Sequence, residues 1–151
     1  MTFEKKSSYY LNEPWSDAPP GIGPHELREL ELMLAGTKPL AMFSDIVPAS
    51  IELPEADFEP FVETGRIVKK VEFIEHARSG YVFRHLYYAL PGEEWRIAEM
   101  HAFDIQIASG KYRFNPDDER RIGWLLGYDK EDVEKFIARF LARKNLKLQQ
   151  R

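Results

Sequence analysis

Three of the four histidines in the chain, His76, His85 and His101, fall close together in the sequence and suggest an imidazole-based site. If the flanking residues form a β-hairpin folded about Ser79 and Gly80, His76 and His85 lie on the same face of neighbouring strands. His101 follows on a predicted helix that packs against this hairpin. Imidazole nitrogens bind zinc and other first-row metals without thiolate ligands. The three histidines are therefore a candidate metal site.

The metal hypothesis has a simpler alternative. The spacing of the three histidines matches no compact metal-binding motif, and scattered histidines carry little specificity by themselves. In the alternative, one histidine is packed and hydrogen-bonded inside the protein while the other two contact solvent. The expectation is therefore a protein without a cofactor, with a divalent metal as the alternative.

His101 and Asp104 form a second candidate site, because residues three apart on a helix lie side by side on its surface. A carboxylate next to an imidazole selects its tautomer and raises its basicity, which is half of a general acid–base device. We therefore take His101 and Asp104 as candidate catalytic residues, with the hydroxyls of Ser44, Ser109 and Tyr87 as available partners. The alternative is a purely structural hydrogen bond between the two side chains.

The common catalytic signatures are missing from the sequence. It has no glycine-rich phosphate loop, no nucleophile elbow and no HExxH zinc motif, which disfavours the common nucleotide-binding and hydrolase classes. The net charge is −4, whereas nucleic-acid binders need a basic surface. The basic residues late in the last predicted helix complement its dipole. Nucleic acid is therefore not an expected partner.

Length and composition indicate a single globular domain. The 151 residues are 44% hydrophobic and 30% charged, which is ordinary for one domain with its own core. No cysteine is present, so a reducing, cytoplasmic location is the simplest expectation. The N-terminus lacks an apolar run, and no segment approaches about 20 apolar residues, so we expect neither a signal peptide nor a membrane span.

Residues 1–23 are expected to form an extended arm, because prolines and glycines interrupt any periodic pattern there. Tyr9, Tyr10 and Trp15 are too apolar for a solvated tail. One interpretation lays the arm across its own domain. The other offers Tyr9, Tyr10 and Trp15 to another subunit or to a partner protein. Residues 24–151 then make up a single α+β domain.

The candidate site residues depend on a hairpin predicted at residues 66–90. A two-residue loop at Ser79 and Gly80 brings opposite charges face to face and apolar residues against apolar ones. Ser-Gly is a weaker turn signal than Asn-Gly, so a four-residue loop is the alternative. With the shorter loop, the cross-strand pairs are Ala77 with Val82, Glu75 with Arg84, Phe73 with Leu86 and Val71 with Tyr88.

The predicted fold is α+β: a small antiparallel sheet centred on the 66–90 hairpin, packed by a central helix at 93–108 and a C-terminal αα-hairpin. The helix at 93–108 is apolar around nearly its whole circumference, which is typical of a central helix. Asn115 and Pro116 predict the start of the αα-hairpin. The other expected elements are a helix at 24–35, a buried strand at 40–43, a short edge strand at 50–53 and a brief helix at 57–62.

The sequence leads to two hypotheses about function. The first is a small soluble intracellular binding protein that acts through protein–protein contacts as a regulator or inhibitor, with self-association through the aromatic arm as one form. The second is a small enzyme acting on a small-molecule substrate, with either the His101–Asp104 pair or a metal held by the three histidines. The absence of a catalytic signature favours the first hypothesis.

Overall fold

The computed structural model describes residue 25 and residues 27–149 of the chain. The predicted arm, with Tyr9, Tyr10 and Trp15, lies outside the described residues. In chain order the elements are α1 (Glu29–Leu34), β1 (Leu40–Ile46), α2 (Glu55–Glu63), β2 (Val68–Glu75), β3 (Val82–Ala89), α3 (Trp95–Ala108), α4 (Pro116–Leu125) and α5 (Lys130–Gln149). This combination of helices with a small antiparallel sheet confirms the predicted α+β class.

The three strands form an antiparallel sheet in the order β1-β3-β2, so that β3 is central and β1 and β2 are edges. β2 and β3 are the predicted hairpin, and β1 continues past the predicted strand at 40–43 to Ile46. A central strand has neighbours on both sides, and residues 86–89 of β3 are accordingly fully buried. β3 therefore supplies side chains to the core on both faces of the sheet.

The hairpin register differs by two residues from the one predicted with a two-residue loop. Glu75 lies opposite Val82 instead of Arg84, and Phe73 lies opposite Arg84. Because side chains alternate between faces with a period of two, a slip of two residues leaves every side chain on its predicted face. The predicted division of the hairpin into two faces is therefore retained, while the individual cross-strand pairs are not.

The cause of the slip is the four-residue loop 77–80. The His76 N–H donates to the Tyr81 carbonyl at 2.8 Å, and the Gly80 N–H donates to the His76 carbonyl at 2.8 Å. The tightest two-residue turns need positive φ at both central residues, or at the first of them. Only Gly80 adopts it in this loop, with φ +72°. Ser79 is not suited to that conformation, so the longer loop forms.

One face of the sheet is covered by α1 and α2. Phe43, Phe58 and Tyr88 are the aromatic centre of this layer, with the rings of Phe58 and Tyr88 stacked at 4.1 Å between centroids. The remaining buried members of the layer are Leu30, Met33, Ala41, Phe61, Ile67 and Leu86. The sheet thus has a complete apolar core on the face away from the candidate site residues.

The opposite face of the sheet is covered by α3, as predicted, and by the end of α4. Ile97 and Met100 of α3 pack on Tyr87 of β3, and Leu125 of α4 completes the cluster. The face that carries His85 is therefore a helix–sheet interface and not a solvent-exposed surface. Because this face is buried, polar side chains on it, such as His85, are removed from water.

α3 buries only one stripe, although its composition predicts burial all round. Its buried residues include the polar Arg96 and Asp104, while Trp95, Ile105 and Ile107 are 45%, 50% and 42% exposed. A helix on the outer side of a sheet contacts it along one line, so residues on its far side stay exposed even where they are apolar. α3 is therefore an outer layer of the domain.

The predicted αα-hairpin is present as α4 and α5. The Asn115 side chain accepts a hydrogen bond from the Asp117 N–H at 2.9 Å, and Pro116 occupies the first helical position, as the sequence predicts. Gly123 allows the two helices to approach closely, since an added Cβ would lie 2.5 Å from a methyl group of Val133. In the described part of the chain, none of the helices is long and apolar enough to cross a membrane.

The segment after β1 differs from prediction, because residues 50–53 do not form a strand. The Asp45 carboxylate instead accepts hydrogen bonds from the N–H groups of Ile46, Ser50 and Ile51 and from the Ser50 hydroxyl, at 2.8–3.0 Å. These bonds lower the pKa of Asp45 to about 2, the Ile51 N–H having the largest effect. A single carboxylate therefore holds this segment as a loop.

Candidate functional site

A group of polar side chains lies between the sheet and α3. It consists of His76, which follows β2, His85 and Tyr87 on β3, and His101 and Asp104 on α3, and is called here the His–Tyr–Asp cluster. His85 and Tyr87 are two residues apart on one strand and therefore point to the same side of the sheet. Asp104 falls on the buried stripe of α3 that faces them.

Tyr87 and Asp104 are the centre of the cluster. The Tyr87 hydroxyl donates a hydrogen bond to Asp104 Oδ2 at 2.6 Å, and both residues are buried. Burial raises the pKa of Asp104 to about 6, although the Tyr87 hydroxyl and His101 act in the opposite direction. Burial and the Asp104 carboxylate also raise the pKa of Tyr87, so it stays a hydrogen-bond donor. Asp104 is thus a carboxyl group that titrates close to neutral pH.

His85 is buried without hydrogen bonds. Its exposed fraction is 5%, and neither ring nitrogen has a hydrogen-bond partner among the described residues. Its Nδ1 lies 3.7 Å from Asp104 Oδ2, which is close for a charged pair but too long for a hydrogen bond. Burial, followed by the nearby His76 and His101, lowers the pKa of His85 to about 4. At neutral pH it is an uncharged imidazole whose donor and acceptor nitrogens are not used by any described residue.

His76 links the buried part of the cluster to the surface. Its ring stacks on His85, with 5.9 Å between centroids and 11° between planes, and also contacts Phe83 at 4.1 Å. The Nε2 atom of His76 is buried and has no hydrogen-bond partner among the described residues. The approach of His76 to His85 agrees with the prediction that both lie on one face of the hairpin.

A cavity of about 360 Å³ opens next to His76. Its walls come from the hairpin loop, from β3 and from the segment that begins at the end of α3. The lining residues are His76, Arg78, Ser79, Phe83, Ile107, Ala108, Gly110 and Tyr112. The Arg78 guanidinium donates to the Gly110 carbonyl at 3.0 Å and so spans the two sides of the cavity. The cavity therefore combines cationic and aromatic side chains.

The predicted catalytic pair is joined through a third residue. The contacts of His101 and Asp104 converge on the Tyr87 hydroxyl, which lies 3.4 Å from His101 Nδ1 and 2.6 Å from Asp104 Oδ2. Tyr87 appeared in the sequence only as one of several available hydroxyls. Its spacing of two from His85 on a strand was the signal that the two share a face. A catalytic role for His101 and Asp104 stays a prediction.

The predicted metal site gains no support from the geometry. Across residues 25 and 27–149, no group of three or more histidine, cysteine, aspartate or glutamate side chains is arranged to hold a metal ion. His76 and His85 stack face to face, whereas metal ligands point their nitrogen lone pairs at one common position. Metal binding by His76, His85 and His101 therefore stays a prediction.

A second cavity, of about 340 Å³, lies on the other side of the sheet between the loop after β1 and the start of α2. Its main polar groups already bind one another: Arg84 donates to Glu55 Oε2 at 2.6 Å, and Asp45 is occupied by the loop. The His–Tyr–Asp cluster differs because His85 and His76 have buried ring nitrogens that no described residue hydrogen-bonds. Buried polar groups without partners carry a substantial free-energy cost, so the cluster is the stronger functional candidate.

The residues that line the cavity beside His76 were not predicted from the sequence. Arg78 and Tyr112 are 34 positions apart and meet only because the hairpin loop packs beside the end of α3. The Ala77 N–H donates to the Ala108 carbonyl at 2.8 Å and fixes this contact. Comparison of the chain with protein-family models, curated proteins and solved structures finds no match.

Proposed function

We propose that the protein binds a small anionic molecule with an apolar body in the cavity beside His76 and exchanges a proton with it. The observation that carries this proposal is His85, a buried neutral imidazole with two unused ring nitrogens between a cavity-lining histidine and a carboxyl group of raised pKa. Clefts with strongly perturbed titratable groups are typical of active and binding sites.

The ligand class follows from the cavity walls. The Arg78 guanidinium is permanently charged and has five N–H donors. Its hydrogen bond to the Gly110 carbonyl uses one of them, so the remaining donors are available to a ligand. Phe83, Ile107 and Tyr112 supply apolar surface, and none of the described lining residues is an acid. A guanidinium above an apolar surface suits a carboxylate attached to an aromatic ring.

The proton is exchanged at His76, on the wall of the cavity. His76 contacts the ligand, His85 stacks behind it, and Asp104 lies 3.7 Å from His85 Nδ1. Since Asp104 has a pKa of about 6, it gives up and takes back a proton near neutral pH. Tyr87 and His101 act as positioning residues that hold the Asp104 carboxyl.

Protein binding is the second candidate function, and exposed apolar side chains favour it. Trp95 and Trp124 are 45% and 48% exposed and lie 5.7 Å apart. Deleting residues 1–20, which removes Tyr9, Tyr10 and Trp15, tests the arm as the binding element. If the truncated protein keeps its co-purifying partners and its oligomeric state, the arm is not the binding element.

The ester 4-acetoxybenzoate tests the first proposal, because it carries a carboxylate, an aromatic ring and an activated acetyl group. In its hydrolysis water adds to the acetyl carbon, the proton of that water passes to His76, and the phenolate leaves. Replacing His76 with Ala is expected to lower kcat by about 100-fold, the usual contribution of a general base. Replacing Arg78 with Gln is expected to raise KM by about 10-fold through loss of a charge-assisted hydrogen bond.

Two remote substitutions serve as controls for this experiment. His25→Ala removes the histidine that stacks on Tyr128, and Arg66→Gln removes an arginine at the opposite end of β2. Both controls should keep the wild-type kcat and KM. If His76→Ala hydrolyses the ester as fast as the wild type, the imidazole is not the base and the proposal fails. An unchanged KM in Arg78→Gln would show that Arg78 does not bind the carboxylate, and an anionic ligand would then be ruled out as the assigned class.

A further inference from the structure

β2 is an edge strand with the features of a pairing surface. It is eight residues long and contains no proline. Phe73 is 62% exposed, and Lys70 and Glu75 are also exposed. A long edge strand with an exposed aromatic side chain readily pairs with another strand. This surface is separate from the cavity and from the proposed function.

On its outer side, the backbone of β2 has hydrogen-bonding groups that no described residue uses. The His76 N–H points toward β3, since it donates to the Tyr81 carbonyl. Along an antiparallel strand, inward and outward groups alternate, so the N–H and C=O groups of Lys69, Val71 and Phe73 point away from β3. No backbone group from the described loops and helices bonds to them.

We propose that β2 pairs antiparallel with β2 of a second copy of the chain, about a two-fold axis at Val71. In this register Lys70 lies opposite Glu72 of the second copy, and Glu72 lies opposite Lys70 of the second copy. Lys69 lies opposite Phe73, so that its aliphatic stem covers the exposed ring. Directly opposed residues of opposite charge stabilise a strand pair.

The neighbouring registers are disfavoured by charge. A two-fold axis at Lys70 places the two Lys70 side chains opposite each other, and an axis at Glu72 does the same for the two glutamates. Like charges directly opposite each other destabilise the pair. Within one chain, Lys70 Nζ and Glu72 Oε1 already lie 3.4 Å apart on one side of β2. The charge pattern of this strand is therefore self-complementary with the axis at Val71. An axis farther toward the C-terminal end of β2, at Phe73, also avoids opposed like charges, but fewer residues of the two strands then overlap.

Sedimentation equilibrium of the full chain tests the proposal with a charge-swap series. The wild type is expected to dimerise, and Lys70→Glu or Glu72→Lys alone is expected to weaken the dimer by about 10-fold or more through opposed like charges. The double variant Lys70→Glu/Glu72→Lys restores opposite charges across the axis and should recover the wild-type dissociation constant. Because Lys70 and Glu72 are also paired within one chain, an equimolar mixture of the two single variants is the decisive control: its opposite charges meet only between chains, so it should form a heterodimer.

A second pair of variants separates this interface from other modes of association. Phe73→Pro removes an outward N–H without removing a bond to β3 and should give a monomer, whereas Trp124→Ala at the exposed tryptophan pair should stay dimeric. Monomeric wild type at the highest soluble concentration overturns the proposal. A dimer that survives the charge swaps, or that is lost only on deletion of residues 1–24, also overturns it, because association then uses another surface.

Discussion

At the scale of single residues, Asp104 and His85 have opposite pKa shifts with one common cause. Burial disfavours the charged form of each group, so the pKa of the acid rises to about 6 and that of the base falls to about 4. Both groups are therefore largely neutral near pH 5. The Tyr87 hydroxyl, bonded to Asp104 at 2.6 Å, limits the cost of the carboxylate form.

These shifts predict opposite effects of pH on stability. The raised pKa of Asp104 means that its contribution is favourable below its unfolded pKa near 3.8 and is lost as pH rises through about 6. The lowered pKa of His85 means that its contribution is present above its unfolded pKa of 6.5 and is lost as pH falls through about 4. Between pH 4 and 6.5 the two contributions offset each other in the wild type.

Removing one of the two groups should reveal the pH dependence of stability that the other group causes, as measured by denaturant titrations at pH values from 4 to 7. Asp104→Asn is expected to lose stability on acidification, by roughly 2–3 kcal/mol more than the wild type, because only His85 remains. His85→Gln is expected to gain stability over the same range. Glu94→Gln, at an exposed acid, should follow the wild-type profile. Parallel profiles for the wild type and both cluster variants would contradict the assigned pKa shifts.

At the scale of secondary structure, local signals were sufficient where a few adjacent residues decide the outcome. The start of α4 was predicted from Asn115 and Pro116, because a cap and a first-turn proline act within one helical turn. The hairpin register was wrong under the preferred loop, because Ser79 does not adopt the positive φ that a two-residue loop needs, whereas the four-residue loop has positive φ only at Gly80. The choice between them depends on the whole strand pair and on the contact of Ala77 with Ala108.

Replacing Gly123 with Ala is a prediction at this scale, because helix propensity alone suggests a gain in stability where packing suggests a loss. Alanine is favoured over glycine within a helix by about 1 kcal/mol, yet a Cβ here would lie 2.5 Å from a Val133 methyl group. Gly123→Ala should therefore destabilise the protein by about 1–3 kcal/mol in urea unfolding. Adding Val133→Ala removes the clash, so the double variant should be more stable than the sum of the single effects. Strictly additive effects would contradict close packing at this position.

At the scale of the whole molecule, Arg96 joins the sheet-covering helix α3 to the αα-hairpin. Its guanidinium donates to the carbonyls of Trp124 and Leu125 at 2.9 and 3.1 Å, and to Glu93 at 2.6 Å. Arg96 is buried and also lies over the Trp124 ring. A buried cation with all these partners satisfies the last carbonyls of α4, which have no partner within the helix.

Replacing Arg96 with Met should therefore loosen the αα-hairpin from the rest of the domain. The expected loss is about 2–4 kcal/mol in the free energy of unfolding, because buried carbonyl groups lose their donors. Arg121→Met is the matched control, since Arg121 also stacks on Trp124 but is exposed and bonds only to Glu99 among the described residues. It should cost less than about 1 kcal/mol. Equal losses in the two variants would show that the ring contact, and not the carbonyl bonds, holds α4.

About half of the candidate site followed from sequence reasoning. The predicted hairpin faces correctly bring His76 near His85, whereas the orientation of Asp104 toward the sheet was not predicted. The cavity did not follow, because its walls come from segments far apart in sequence that pack together only in the folded domain. The central role of Tyr87 in the cluster was also not predicted, because its hydroxyl meets Asp104 only when α3 packs on the sheet.

The sequence by itself determined the α+β class, the hairpin, the αα-hairpin and the division of the two hairpin strands into two faces. These features depend on residue types within a few positions of one another, where backbone sterics and side-chain alternation act directly. Only the tertiary structure decided which side of α3 is buried, which loop closes the hairpin and which polar groups lose their water. Desolvation depends on every layer packed around a group, so the pKa shifts at His85 and Asp104 belong to the fold as a whole.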